Sequence, residues 1–206
     1  MNHYQSITLH KHSGFTLVEF VIIISIFAIM AGILSFNFSG FKSSAGLNNV
    51  AHDIALSLYG IQKKALSGLS LETIGLSGGT TPADSVPYGI AFKKSSLGNG
   101  FDPEFILFRD NNNDFEYTPI NMTDTIIDTL KIQTADTISE IATFDGSVYT
   151  SVPTVAGNYF SISFKRPWPE VKNMILGAQH IKITISSPNG TNKSITVSAI
   201  GNISVD

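Results

Sequence analysis

FVIIISIFAIMAGILSFNFSGF, at residues 20–41, is a run of 22 residues without a charge, and the first charge after it is Lys42. As a helix it spans about 33 Å, close to the thickness of the hydrocarbon layer of a bilayer. A core helix of a soluble domain seldom runs this long without a charged face. A secretory signal peptide would end at a small-residue cleavage site, and Ala28 and Ala31 form no such site. The run therefore predicts a membrane-spanning helix.

One carboxylate, Glu19, lies near the start of this apolar segment, between Val18 and Phe20. A charged side chain is costly in lipid, and such a group persists where an opposite charge neutralises it. A carboxylate at the edge of the segment could also reach the interface with water. The residues themselves leave both interpretations open.

The hexapeptide around this carboxylate is Gly14-Phe15-Thr16-Leu17-Val18-Glu19, and the long apolar run follows it directly. In this it resembles the type IV pilins and type II secretion pseudopilins, whose processing motif is a Gly, an aromatic residue, Thr-Leu-hydrophobic-Glu and an apolar stretch. The resemblance implies that a prepilin peptidase cuts between Gly14 and Phe15 and methylates the new amine of Phe15. The cut leaves 192 residues, 206 less the 14 of the leader.

The resemblance also implies a partner for Glu19, the N-terminal amine of a neighbouring subunit, so that Glu19 would serve assembly. The implied partners are other pilin or pseudopilin subunits, the prepilin peptidase, the inner-membrane assembly machinery and the lipid bilayer. The implied topology is a single pass with a cytoplasmic N-terminus and an extracytoplasmic C-terminal domain, in the periplasm or at the cell surface once assembled. Charge supports this topology weakly, because Lys11 stands in the leader but Lys42, Lys63 and Lys64 lie beyond the span.

Beyond Lys42 the apolar residues recur at spacings of three and four, as on one face of a helix. They are Leu47, Val50, Ala51, Ile54, Leu58, Ile61, Ala65 and Leu66. We predict one long helix over about 16–67, followed by a Gly-, Ser- and Thr-rich loop over 69–87. Helical patterns are absent after that loop. The predicted strands are 88–93, 104–109, 125–132, 138–144, 159–165, 180–186 and 194–205, and a turn at 187–190 joins the last two.

These elements predict an α+β fold, in which a long N-terminal helix packs its amphipathic second half on a mostly antiparallel β domain. The predicted organisation is a leader at 1–14, a transmembrane or filament-core helix at 15–41, an amphipathic continuation at 42–68 and an extracytoplasmic β domain at 69–206. The order of features further resembles the GspH/FimT branch of minor pseudopilins. The matching stretches are Tyr88-Gly89-Ile90-Ala91-Phe92, Phe108-Arg109-Asp110-Asn111-Asn112-Asn113-Asp114 and, more loosely, 194–205 with Gly201.

Asp110, Asn112 and Asp114 alternate in the manner of the first three ligands of a calcium loop. The sixth position, normally Gly, is Phe115, and the twelfth, normally Glu, is Asn121. An Asn/Asp turn between two strands is the simpler interpretation, and calcium is an open alternative. No other cofactor is expected.

Charge is segregated along the C-terminal domain. Residues 102–145 contain ten acids and two bases, a net charge of −8, whereas residues 159–206 contain five bases and two acids, a net charge of +3. Surfaces of opposite sign could steer neighbouring subunits together. The alternative is that these charged residues form ordinary solvated surface without a role in assembly.

The predicted function is a structural, minor subunit of a type IV pilus or a type II secretion pseudopilus. Two alternatives remain, a FimT-like DNA-binding pilin and a membrane-anchored domain without a filament role. The resemblance implies that FimT-like pilins which bind DNA do so through basic residues near the C-terminus. The equivalent residues here, 199–203, carry no Lys or Arg, so DNA binding is disfavoured. No hydrolase, zinc-protease or phosphate-loop motif occurs, so no enzyme activity is expected. His180 is expected on the surface of a strand and Trp168 as a cap on the core.

Overall fold

The computed structural model describes residues 14–67, 86–96, 100–119, 124–152, 158–172 and 178–206. Residues 1–13 of the predicted leader at 1–14, and most of the predicted loop at 69–87, lie outside these residues. The chain divides into two compact units, Met1–Phe41 and Lys42–Asp206. Helix α1, Leu17–Ser67, has 51 residues and contributes to both units. The helix and the antiparallel sheets that follow it confirm the α+β fold.

In the first unit, α1 carries apolar side chains on every side from Phe20 to Leu34, apart from Ser25. Between Leu17 and Ser35 it is long and apolar enough to cross a membrane, and none of this span is buried within the structure. Two serines in the span donate their hydroxyls to carbonyls one turn earlier, Ser25 to Val21 at 2.8 Å and Ser35 to Ala31 at 2.9 Å. These bonds satisfy the only polar side-chain groups between Phe20 and Ser35, as an apolar environment requires.

In the part of the second unit that the structure describes, ten strands form two antiparallel sheets of five. The first sheet has the order β3-β2-β1-β6-β7, and the second has the order β10-β9-β8-β4-β5. The strands of the first sheet are β1 Tyr88–Lys94, β2 Phe101–Arg109, β3 Thr125–Lys131, β6 Tyr159–Lys165 and β7 Trp168–Val171. Those of the second are β4 Thr137–Phe144, β5 Tyr149–Ser151, β8 His180–Ser186, β9 Asn192–Ser198 and β10 Ile203–Val205.

The apolar stripe of α1 lies in one hydrophobic core together with the inner faces of both sheets. Seven of the eight predicted stripe residues are buried, which are Leu47, Val50, Ala51, Ile54, Leu58, Ile61 and Ala65. The prediction for Leu66 is wrong, because its side chain is 36% exposed. Two side chains of α1 also donate to backbone carbonyls at or just before the start of β10, Tyr59 Oη to that of Ile203 at 2.6 Å and Gln62 Nε2 to that of Gly201 at 2.7 Å.

The prediction of a single strand over 194–205 is wrong, because a turn separates β9 from β10. Gly201 has φ +88°, and its N–H donates to the Ser198 carbonyl at 2.8 Å. A positive φ ends an extended strand and favours glycine. The short strands β5 and β7 were not predicted either.

The outer face of the first sheet carries a smaller cluster of Ala91, Ile106 and Phe108, against which Tyr117 and Tyr159 pack. The loop at 110–119 covers this cluster by bonding to β6. The Tyr117 N–H donates to Ser161 Oγ at 2.9 Å, and Ser163 Oγ donates to the Phe115 carbonyl at 2.8 Å. The loop with the alternating acids is therefore fixed to the sheet.

Candidate functional site at the start of the helix

The first turn of α1 is closed by a reciprocal pair, Thr16 and Glu19. The Glu19 N–H donates to Thr16 Oγ1 at 3.3 Å, and the Thr16 N–H donates to Glu19 Oε2 at 3.3 Å. Thr16 Oγ1 also lies 3.3 Å from Glu19 Oε2. This is a capping box, in which a Thr at the N-cap and a Glu three residues later satisfy each other's backbone donors. A carboxylate in the first turn also interacts favourably with the helix dipole.

Sequence reasoning identified Glu19 and missed Thr16. The signal was available, because Ser or Thr followed three residues later by Glu, just before an apolar run, is the mark of a capping box. The structure thus gives Glu19 an intramolecular role beside the intermolecular one that was predicted. The predicted pairing of Glu19 with a neighbour's amine stays a prediction.

The Gly14–Phe15 bond lies two residues before the helix begins. Gly14 is exposed, the Phe15 side chain is 79% exposed, and a Cβ added at Gly14 would meet nothing within 4 Å. The fold of the chain therefore does not require glycine at this position. A requirement for glycine there would come from an enzyme that binds the segment.

The second candidate, the loop from Asp110 to Asp114, is organised around the buried Asp110 carboxylate. Asp110 Oδ1 accepts the Asn113 N–H at 2.6 Å, and Oδ2 accepts the Phe115 N–H at 2.8 Å. Burial raises the pKa of Asp110, and the two N–H donors, Phe115 before Asn113, oppose that increase. These bonds hold Asn113 at φ +63° and Phe115 at φ +68°, which are unfavourable for residues with a Cβ.

The other two candidate ligands are also engaged in short-range bonds. Asn112 Oδ1 accepts the Asp114 N–H at 3.3 Å, and Asp114 Oδ1 accepts the Glu116 N–H at 2.8 Å. Such bonds are those of successive Asx turns. Among the described residues, no three His, Asp or Glu side chains form a group that could hold a metal ion. Calcium at Asp110, Asn112 and Asp114 stays a hypothesis.

Trp168 and His180, the two other side chains singled out in the sequence, lie in different environments. The prediction that Trp168 caps the core is wrong, because its side chain on β7 is 64% exposed. His180 begins β8, is partly buried, and stacks on Phe144 with the ring centroids 6.0 Å apart. Its Nδ1 is buried without a hydrogen-bond partner.

Comparison with known proteins identifies one region. A family model described as "Prokaryotic N-terminal methylation motif" matches residues 9–35, which include Gly14, Phe15, Thr16 and Glu19. No curated protein and no solved structure matches the chain. The chain therefore carries a prokaryotic N-terminal methylation motif, a type IV pilin-like leader, at residues 9–35.

Proposed function

We propose that the chain is a structural subunit of a filament of the type IV pilin or type II secretion pseudopilin class. A prepilin peptidase removes residues 1–14 and methylates the amine of Phe15. The segment at 15–41 anchors the subunit in the bilayer before assembly and lies in the filament core afterwards. The N-terminus is cytoplasmic before cleavage, and the β domain is extracytoplasmic. The function is structural, without a catalytic role.

The observation that carries this proposal is the methylation motif at 9–35, which includes the unburied apolar helix at Leu17–Ser35. An apolar surface of this length is unstable in water and requires lipid or other protein surfaces to cover it. A lipid-anchored monomer satisfies this requirement, and so does a bundle of such helices from many subunits. The processing motif favours the bundle of helices, because the peptidase that recognises this motif prepares subunits for assembly.

Glu19 gives the proposal a specific mechanism. After cleavage, the Phe15 amine is a new positive charge next to Thr16, at the start of the same helix. Opposite charges in apolar surroundings attract strongly, and each lowers the other's desolvation cost. A pairing between Glu19 of one subunit and the Phe15 amine of the next would fix the axial register of neighbouring helices.

We further propose that the chain is a minor subunit, as its resemblance to the GspH/FimT branch implies. The support is the strand β1 with Tyr88 and Gly89, the loop that begins at Asp110, and the terminal β9–β10 pair with Gly201. Assembly machinery in the inner membrane and other pilin-like subunits are then the partners.

The test is Glu19→Ala in the native cell, followed by shearing of surface filaments and mass analysis of the membrane fraction. We expect the variant to be cut after Gly14 and to be lost from the filament fraction. Glu116→Ala, which removes an exposed carboxylate of the β domain, is the matched control and should assemble normally. Normal assembly of the Glu19→Ala subunit would favour a membrane-anchored domain without a filament role.

A further inference from the structure

The turn between β8 and β9 contains an acceptor pattern for a covalent modification. It reads Asn189-Gly190-Thr191, an Asn followed two residues later by a Thr. Asn-x-Ser/Thr, where x is any residue except Pro, is the acceptor sequence for a glycan on the amide nitrogen of the Asn, and it is typical of surface loops in secreted proteins. Two more copies lie among the described residues of the β domain, Asn192-Lys193-Ser194 and Asn202-Ile203-Ser204. The fold places the three copies in different surroundings.

The first copy lies entirely at the tip of the β8–β9 hairpin. The Gly190 N–H donates to the Ser187 carbonyl at 2.9 Å, and the Ser187 N–H donates to the Thr191 carbonyl at 2.9 Å. Between these bonds the chain is exposed at every residue of the tip, which are Pro188, Asn189, Gly190 and Thr191. A Cβ added at Gly190 would meet nothing within 4 Å. An enzyme can therefore reach the tip without displacing another part of the described β domain.

The two side chains that carry the pattern are not engaged by the fold. Among the residues that the structure describes, none forms a hydrogen bond with the side chain of Asn189 or with that of Thr191. An amide that is already hydrogen-bonded has to give up its partner before it reacts. The amide of Asn189 can therefore turn towards an incoming reactant without breaking a contact of the β domain.

The other two copies are held within the second sheet. Asn192 and Ser194 lie in β9, and both are paired with β8. In the third copy, the Ile203 side chain is only 7% exposed, and Ser204 is paired with β9. A transferase has to bind the Asn and the hydroxyl residue together, so a residue in a strand must first leave its ladder of hydrogen bonds. The geometry therefore favours the hairpin tip over the two copies in strands.

We propose that Asn189 carries a glycan, transferred from a sugar that is bound to a polyisoprenyl diphosphate in the membrane. The Nδ2 atom of Asn189 forms a bond with the anomeric carbon of the sugar, and the bond from that carbon to the diphosphate oxygen breaks. The lipid diphosphate leaves with the electron pair of that bond, and a base of the transferase takes up one proton from the amide. Thr191 is a positioning residue, because its hydroxyl belongs to the pattern that the transferase binds.

The lipid carrier rests on the proposed function, which places the β domain outside the cytoplasm. A nucleotide sugar is charged and does not cross a bilayer unaided, whereas a sugar on a lipid diphosphate stands at the membrane surface. A glycan is bulky and hydrated, so the hairpin tip would face solvent in the assembled filament. The modification therefore also indicates which end of the β8–β9 hairpin stays free of neighbouring subunits.

Peptide mass analysis of the full-length chain from its native cell tests the proposal. The protein is purified from the membrane and filament fractions and digested with trypsin, which releases residues 183–193 as one peptide between Lys182 and Ser194. We expect this peptide to carry the mass of a glycan, and fragmentation that preserves side-chain modifications should place the glycan on Asn189. A peptide without added mass, or with the glycan on Asn192, would overturn the proposal. Conversion of Asn189 to an acid without a glycan would overturn it as well.

Substitutions at the third position of the pattern test how the site is recognised. Thr191→Ala keeps Asn189 and removes the hydroxyl, so the glycan should be lost, whereas Thr191→Ser retains the hydroxyl and should retain the glycan. Asn192→Gln is the matched control, because it removes the neighbouring copy of the pattern and should leave the glycan in place. Protease resistance of each variant verifies that the β domain is folded. A glycan that persists on Asn189 in the folded Thr191→Ala variant would contradict the proposed recognition.

Failure of the glycan and failure of the proposed function give different results. A chain that begins at Phe15 and enters filaments with an unmodified Asn189 overturns the glycan and leaves the proposed function intact. A chain that carries the glycan but still begins at Met1 and never enters filaments supports the glycan and overturns the proposed function. The same peptide analysis reads the N-terminus and residues 183–193 of each sample.

Discussion

Thr16 and Glu19 cap each other at the first turn of α1, with each backbone N–H donating to the side chain of the other residue at 3.3 Å. The capping pair holds the Glu19 carboxylate beside the backbone N–H of Thr16, one residue from the amine that cleavage would create. The residue that is proposed to pair subunits is therefore positioned by its own helix before a neighbour arrives. Thr16 is a positioning residue, and its contribution can be separated from that of Glu19.

Replacing Thr16 tests this positioning. Thr16→Ala removes the N-cap hydroxyl and should destabilise the first turn by about 0.5–2 kcal/mol, whereas Thr16→Ser retains the hydroxyl and should behave like the natural chain. The measurement is the fraction of processed subunit in sheared filaments. We expect a reduced fraction for the Ala variant and an unchanged fraction for the Ser variant. Equal assembly of the natural chain and both variants would show that the N-cap hydroxyl does not contribute to assembly.

Gly89 allows a close approach of β1 and β2. A Cβ at this position would lie 2.6 Å from Cε1 and Cζ of Phe108 and 2.7 Å from Ser163 Oγ. Gly89→Ala should therefore destabilise the β domain by about 1–3 kcal/mol, the usual cost of overpacking. The free energy of unfolding of the full-length chain in detergent, followed by circular dichroism, measures this.

Gly60→Ala is the matched control for that substitution. Gly60 lies in α1, is exposed, and has nothing within 4 Å of an added Cβ. Because alanine is the better helix former, this variant should be more stable by about 0.5–1 kcal/mol. Two changes of the same size should thus shift stability in opposite directions, and a shift in the same direction would contradict the packing described around Phe108.

The β4–β5 hairpin should contribute a pH dependence through Asp145. The N–H groups of Val148 and Ser147 donate to its Oδ1 at 2.9 and 2.8 Å, and these bonds lower the pKa of Asp145 below its ordinary value of 3.8. A lowered folded-state pKa gives stability that is present above the unfolded-state pKa and is lost as pH falls through the folded-state pKa.

Asp145→Asn keeps an acceptor oxygen and removes the charge. We therefore expect this variant to unfold at lower denaturant concentration than the natural chain at pH 7. The difference in denaturant concentration at unfolding between the variant and the natural chain should shrink below about pH 3.8 and disappear under strongly acidic conditions. A difference that stays constant across the whole pH range would mean that the charge is not responsible.

Calcium should not stabilise the loop that begins at Asp110. Both Asp110 oxygens already accept backbone N–H groups, and the position of the usual bidentate Glu is Asn121. We expect isothermal titration of the purified chain at millimolar calcium to give no saturable heat. Saturable binding that Asp114→Asn abolishes would instead establish the calcium site.

The long helix and the longer strands could be predicted from the sequence because the periodicity of their apolar residues is strong. Ile181, Ile183 and Ile185 alternate along β8 and are all fully buried. The apolar stripe of α1 was predicted for the same reason. The four-residue pattern Ser187-Pro188-Asn189-Gly190 also located the turn between β8 and β9, where Gly190 has φ +80°.

The features that were not predicted depend mainly on contacts between residues far apart in the sequence, which periodicity does not encode. Strands β5 and β7 have three and four residues, too few for an alternation, and exist because β4 and β6 pair with them. The environment of Trp168 depends on whether another segment covers β7, which its neighbours in sequence do not reveal. The cap formed by Thr16 could have been predicted, since it is a local pattern.

The central claim is that the chain is cut between Gly14 and Phe15 so that the amine of Phe15 can neutralise the Glu19 carboxylate of an adjoining subunit. Intact mass and N-terminal peptide analysis of the protein from its native cell test this claim most directly. We predict a polypeptide that begins at Phe15 and carries one additional methyl group on its N-terminal amine. A polypeptide that still begins at Met1, or one that begins after the apolar span, would contradict the account.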